Sequence, residues 1–121
     1  MARLLLATRQ VVLLPFPFSD LSAQKLRPAL VLADADRDDW LLCQITSKAY
    51  ADRRAVELLD TAFAEGGLQL ASYARPAKLF TAHASLIRSV TGTLNDAAYE
   101  RVLDAVVALL REDRMHALTN P

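Results

Sequence analysis

Three stretches of this chain set a cation or a hydroxyl beside a run of core-forming residues. In KLRPALVL, Lys25 and Arg27 precede Pro28 and five apolar residues. The proline biases Arg27 toward an extended backbone, so its guanidinium leaves the chain in a defined direction. A guanidinium is a planar fork of donors suited to phosphate or carboxylate oxygens, so Arg27 either meets an anionic substrate or pairs with a carboxylate such as Asp20. ITSK puts Thr46, Ser47 and Lys48 at the end of a second apolar run. Hydroxyls there satisfy turn backbone groups or offer donors to a ligand. In SYARPAKLF the first pattern returns, with Arg75, Pro76 and Lys78 in an extended segment.

The elements that position these residues follow from the pattern of the chain. At 121 residues, it is expected to form one domain over 1–121. Its 53% hydrophobic content and three glycines argue for a packed globule. Apolar runs are short from Gln10 to Phe18, Ala29 to Ala33, Trp40 to Thr46, Ala55 to Leu59, Leu68 to Thr81 and Ser85 to Leu94, which predicts strands. The polar DADRDD stretch between the second and third predicts a hairpin turn, and Gly92 predicts a bulge or bend. From Asn95 the pattern changes period. Tyr99, Val102, Leu103, Val106, Leu109 and Leu110 recur at spacings of three and four, the stripe of an amphipathic helix capped by Asn95 and running to about 112. Leu94 and Tyr99 stand where a hydrophobic staple forms. Short strands followed by one helix predict a mainly β fold, a small bent barrel over about 9–94 with a C-terminal helix on its open side.

Composition removes several classes of function. One cysteine, Cys43, forms no internal disulfide, and with two histidines the chain builds no Cys/His zinc site. No metal site or cofactor is expected; Asp34, Asp36 and Asp38 read as turn residues. No apolar run is long enough to span a membrane, and MARLLLATRQ lacks the longer apolar region of a signal peptide, so a cytoplasmic protein is expected. Fourteen basic and fourteen acidic residues cancel. Yet residues 1–32 carry Arg3, Arg9, Lys25 and Arg27 against Asp20 alone, and residues 72–91 carry Arg75, Lys78 and Arg88 with no acid. A basic surface exists only if these two segments meet.

In order and spacing, LLPFPFSDLSAQKLRPALVL, LLCQITSK and GLQLASYARPAKLFTAHASLIRSVTGTL resemble the PemK/MazF-like toxins of bacterial toxin–antitoxin pairs. The resemblance covers about Gln10 to Arg111. It implies an SH3-like β-barrel with a C-terminal helix and a homodimer. It also implies metal-independent endoribonuclease activity on single-stranded RNA, restrained by an antitoxin with an acidic or partly disordered tail. Carried over by position, the resemblance makes Arg27 and Thr46 catalytic, and Lys25, Ser47, Lys48, Arg75 and Lys78 contacts to RNA.

The chemistry so implied needs a fixed cation beside the scissile phosphate. The 2′-OH attacks phosphorus, charge gathers on the non-bridging oxygens, and a guanidinium meets it with two parallel donors. This chain departs from the family where Arg9 and Gln10 replace a Gly-Asp pair, and where Ala77 replaces an acidic residue that assists proton transfer in some relatives. A guanidinium is a poor proton acceptor, so Asp20 and His83 are the candidates for that role. The alternative to the enzyme is a catalytically impaired member that binds RNA or antitoxin.

Overall fold

The computed structural model describes residues 4–16, 25–48 and 52–119, with side chains as far as residue 112. Seven strands and one helix follow in order: β1 (Gln10–Phe16), β2 (Lys25–Asp34), β3 (Asp39–Thr46), β4 (Val56–Leu58), β5 (Phe63–Gly66), β6 (Ser72–His83), β7 (Ser89–Leu94) and α1 (Asp96–Thr119). All pairings are antiparallel, in the order β4-β6-β3-β2-β1-β7-β5. Leu58 near one end of that order and Leu94 near the other share one core cluster with Val11, Leu30, Cys43 and Ile45. The sheet therefore curls into a nearly closed barrel, as a twisted sheet of this size does when it must bury one face.

Both faces of β1, β2 and β3 are covered, which is why these strands read as unbroken apolar runs with no alternation. Ala98, Val102 and Val106 of α1 close the first cluster. On the opposite face Val12, Leu14, Phe16, Ala29, Val31, Leu42, Ala82 and Ile87 form a second, with Phe16 edge-on to Phe80 at 4.8 Å between ring centroids. The mainly β architecture with a terminal helix expected from the pattern is the one observed.

The differences have local causes. Strand β1 continues through Pro15, because its pairing with β7 stops at Leu13 and a residue beyond it needs a ladder partner only on the β2 side. Strand β2 begins at Lys25, four residues before the apolar run, so Arg27 lies within a strand and not at its entrance. Helix α1 continues past residue 112 to Thr119. Strand β5 was not expected; it is four residues long and closes on β7 where Gly66 meets Gly92. The bend at Gly92 is a bulge, since Val11 pairs with Gly92 and Val12 with Val90, leaving Thr91 extra. Gly92 is also required for space: a Cβ there would lie 2.7 Å from the Glu65 carbonyl oxygen and 2.8 Å from the Gly67 amide nitrogen.

Asn95 caps α1 as expected, accepting the Ala98 amide at 2.8 Å. Its side-chain amide reaches the Thr61 carbonyl, and the Tyr99 hydroxyl donates to the Leu32 carbonyl at 2.7 Å, so the helix start is bolted to the barrel. In the β2–β3 hairpin Asp36, Arg37 and Asp38 all take left-handed φ values, 71°, 55° and 63°. Asp34 stabilises this by accepting the Asp36 amide at 2.7 Å. Among the described residues no helix is long and apolar enough to cross a membrane.

Candidate functional site

Where β2 and β3 run out of the barrel, their side chains change from apolar to polar. Val31, Ala29 and Arg27 follow one another on one face of β2, and Leu42, Gln44 and Thr46 on the same face of β3. Ala29 pairs with Gln44, and the same register continued two residues sets Arg27 across from Thr46. On the next strand Thr46 pairs with Tyr73, and Arg75 stands two residues further along β6. Strand alternation thus delivers Arg27, Thr46 and Arg75 to one region from three adjacent strands.

They line a groove of about 760 Å³. Ser47, Lys48, Gln44 and Gln69 add polar groups, while Leu13, Leu26, Pro28, Leu68 and Leu70 supply an apolar floor and rim. Leu26 and Leu70 are 49% and 65% exposed, so the groove has apolar surface at its rim. Among the described residues, none that lines the groove is an acid. The two acid-poor parts of the sequence do meet here, since Arg27 belongs to one and Arg75 to the other.

The local bonds assign different states to these groups. Among the described residues no carboxylate lies within ion-pair distance of Arg27, which is exposed at the groove. The Thr46 hydroxyl accepts the Lys48 amide at 3.1 Å. That uses a lone pair and leaves the hydroxyl proton for another acceptor. Arg75 Nε donates to Asp52 Oδ2 at 3.0 Å, and Asp52 is a tenth exposed. The Arg75 bond, followed by the Arg54 amide, holds the Asp52 carboxyl below its ordinary range. Behind Arg75 the buried Cys43 thiol donates to the Arg75 carbonyl at 3.2 Å, and burial pushes that thiol up to about 12.

Of the residues nominated from the sequence, Arg27, Thr46, Ser47, Lys48 and Arg75 line the groove. Lys25 is exposed on β2 beside Leu26 but is not part of the lining, and neither is the exposed Lys78. A register irregularity between Cys43 and Ile45 on β3 spans residues 75–78 of β6, so Lys78 does not repeat the placement of Arg75. His83 ends β6, eight residues past Arg75, roughly 25 Å of strand away. Its Nδ1 accepts the Ser85 amide and caps a short 3-10 turn, so the structure does not bring it to the groove. Asp20 lies outside the described residues. Sequence reading missed Asp52, whose partner is 23 residues distant, and it missed Gln44, which the period of two from Thr46 would have placed on the groove face.

Comparison with known proteins agrees with this architecture. Residues 8–110 match the family described as PemK-like, MazF-like toxin of type II toxin–antitoxin system. A MazE–MazF crystal structure from Deinococcus radiodurans superposes with a TM-score of 0.68 at 18% identity, over 85% of this chain and 94% of that one. Mycobacterium tuberculosis toxin MazF-mt6 superposes with a TM-score of 0.63 at 17% identity, over 81% and 92%. An endoribonuclease from a mycobacterial species, in complex with its cognate antitoxin, gives 0.60 at 13% identity, over 85% and 92%. At such identities these likenesses concern the fold. No curated protein matches the sequence.

Proposed function

The chain belongs to the PemK-like, MazF-like toxins of type II toxin–antitoxin systems, and we propose that it is an endoribonuclease that cleaves single-stranded RNA in the groove between β2, β3 and β6. The observation that carries the reading is the delivery of Arg27 and Thr46 from adjacent strands to one groove, with no carboxylate paired to Arg27 among the described residues. The mycobacterial protein of the same fold, an endoribonuclease, supports it.

In this reading an unpaired strand lies along the groove, because only there can the ribose turn its 2′-OH into line with the leaving oxygen. Attack of the 2′-oxygen on phosphorus forms a five-coordinate phosphorane, whose bond to the 5′-oxygen then breaks, and the proton lost from the 2′-OH is balanced by the one gained by the leaving 5′-oxygen. Arg27 offers two donors to its non-bridging oxygens, and Thr46 adds the hydroxyl proton that its bond from Lys48 leaves available. Arg75 and Lys48 hold flanking phosphates. The nucleophile belongs to the substrate, so the products are a 2′,3′-cyclic phosphate and a 5′-hydroxyl, and the charge on the phosphorane is met by Arg27 without a metal ion. Ala77 is exposed and has no ionisable group, so the acid seen in some relatives has no counterpart at that position.

The partner in this reading is an antitoxin whose acidic or partly disordered segment covers the groove, its carboxylates meeting Arg27, Lys48 and Arg75 and its apolar side chains meeting Leu26 and Leu70. The toxin itself acts as a cytoplasmic homodimer. The test is cleavage of a mixed single-stranded RNA pool, with and without EDTA, by wild type and Arg27→Lys. Wild type is expected to cut in both conditions and leave the stated ends. The lysine variant keeps the charge but loses the fork, and should bind RNA while cleaving on the order of a hundredfold to a thousandfold more slowly. Full activity in the variant, loss on chelation or a 5′-phosphate end would reject this chemistry. No cleavage by wild type would leave a binding module.

A further inference from the structure

Asp52 is the one carboxylate bonded to a groove-lining residue among the described ion pairs, and it reaches the site from outside the strands that form it. Both its oxygens are engaged: Oδ2 accepts Arg75 Nε at 3.0 Å and Oδ1 accepts the Arg54 amide at 3.0 Å. Arg54 and Arg53 in turn reach Glu112 of α1, each at 2.8 Å. The segment holding Asp52 is therefore tied to the groove on one side and to the helix on the other.

We infer that Asp52 is a positioning residue which, by taking the Nε edge of Arg75, sets the direction in which that guanidinium meets a phosphate of RNA in the groove. This rests on the nuclease reading above. An arginine side chain has several rotatable bonds, and a contact at Nε fixes the plane of the fork and so the aim of the rest of it. A carboxylate with both oxygens engaged and its acidity increased by those bonds is a poor proton acceptor, which separates this role from that of a general base. Cys43 adds to the constraint from the backbone side through its bond to the Arg75 carbonyl.

The inference predicts a sign opposite to that of simple electrostatics. Asp52→Asn removes a negative charge beside a basic groove, which by charge alone would tighten RNA binding. If Asp52 aims Arg75, binding weakens instead. Binding is read on a mixed single-stranded RNA pool with 2′-O-methyl riboses, which cannot be cleaved, and turnover on the ordinary pool. Asp52→Asn is expected to raise KM by about tenfold to a hundredfold, the range of one charge-assisted hydrogen bond, with a smaller change in kcat. The log–log salt slope of binding should become shallower by about 0.7, the share of one phosphate contact on a single strand. In an Arg75→Gln background, Asp52→Asn should have no further effect.

Equal or tighter binding by Asp52→Asn would overturn the inference. So would loss of one limb of the pH–rate profile, which would make Asp52 a proton acceptor. Should the variant not fold, the wild-type protein still decides: the Arg75 Nε–H is expected to exchange slowly with solvent, and fast exchange rejects the bond. If wild type fails to cleave the ordinary pool, the nuclease reading falls, while binding of the 2′-O-methyl pool still tests Asp52.

Discussion

Side chains of the same type have different fates here according to their partners. Arg27 and Arg75 each precede a proline in an extended segment, yet of the two, among the described residues, Arg75 is the one held by a carboxylate, that of Asp52, and Arg27 the one that stands opposite Thr46 by register. Cys43 illustrates the same point for reactivity. A thiol that is fully buried, donates to the Arg75 carbonyl and is pushed up to about 12 exists almost wholly as the thiol at neutral pH. Folded protein at pH 8 is expected to resist a thiol-specific reagent until denaturant is added. Rapid stoichiometric labelling of the native chain would contradict the burial described here.

The elements divide into those that local pattern determines and those that depend on distant partners. The terminal helix was readable because its apolar residues repeat at spacings of three and four and Asn95 caps it; Asn95→Ala should cost about 1 kcal/mol in a denaturant melt. The β2–β3 hairpin was readable from its aspartates, which tolerate the left-handed backbone that three successive residues adopt. Strand β5 was not readable, since four residues with one β-ladder partner carry no periodic signal. The bulge at Thr91 showed only as a glycine, and its cause is the approach of another backbone. Gly92→Ala would press a methyl onto the Glu65 carbonyl and should destabilise by about 1–3 kcal/mol. At the site, Arg27, Thr46 and Arg75 could be nominated from composition and order, whereas Asp52 could not, because no local pattern announces a bond spanning 23 residues.

For the molecule as a whole, the ion pairs set a dependence on pH. Asp52 is held below its ordinary 3.8 chiefly by the Arg75 bond, and Glu112 below 4.5 by Arg54 and Arg53. Carboxylates with depressed folded-state values contribute stability above their unfolded values, and that contribution is lost as pH falls through the folded ones. The melting temperature should therefore drop as pH is lowered from about 5 toward 3, and Asp52→Asn should flatten part of that drop; an unchanged slope would mean the Arg75 pair contributes nothing. The order of the strands also has a consequence for synthesis. Strand β1 lies between β2 and β7, with the Thr91 hydroxyl contacting the Val11 carbonyl across 80 residues of chain, and Thr91 lines the groove with Arg27. A chain emerging from the ribosome carries Arg27 early but has no partner for the outer side of β1 until β7 is made. Chains that end before Ser89 lack both the β7 partner of β1 and the Thr91 side of the groove, so the groove gains its full lining only once the last strand has been translated.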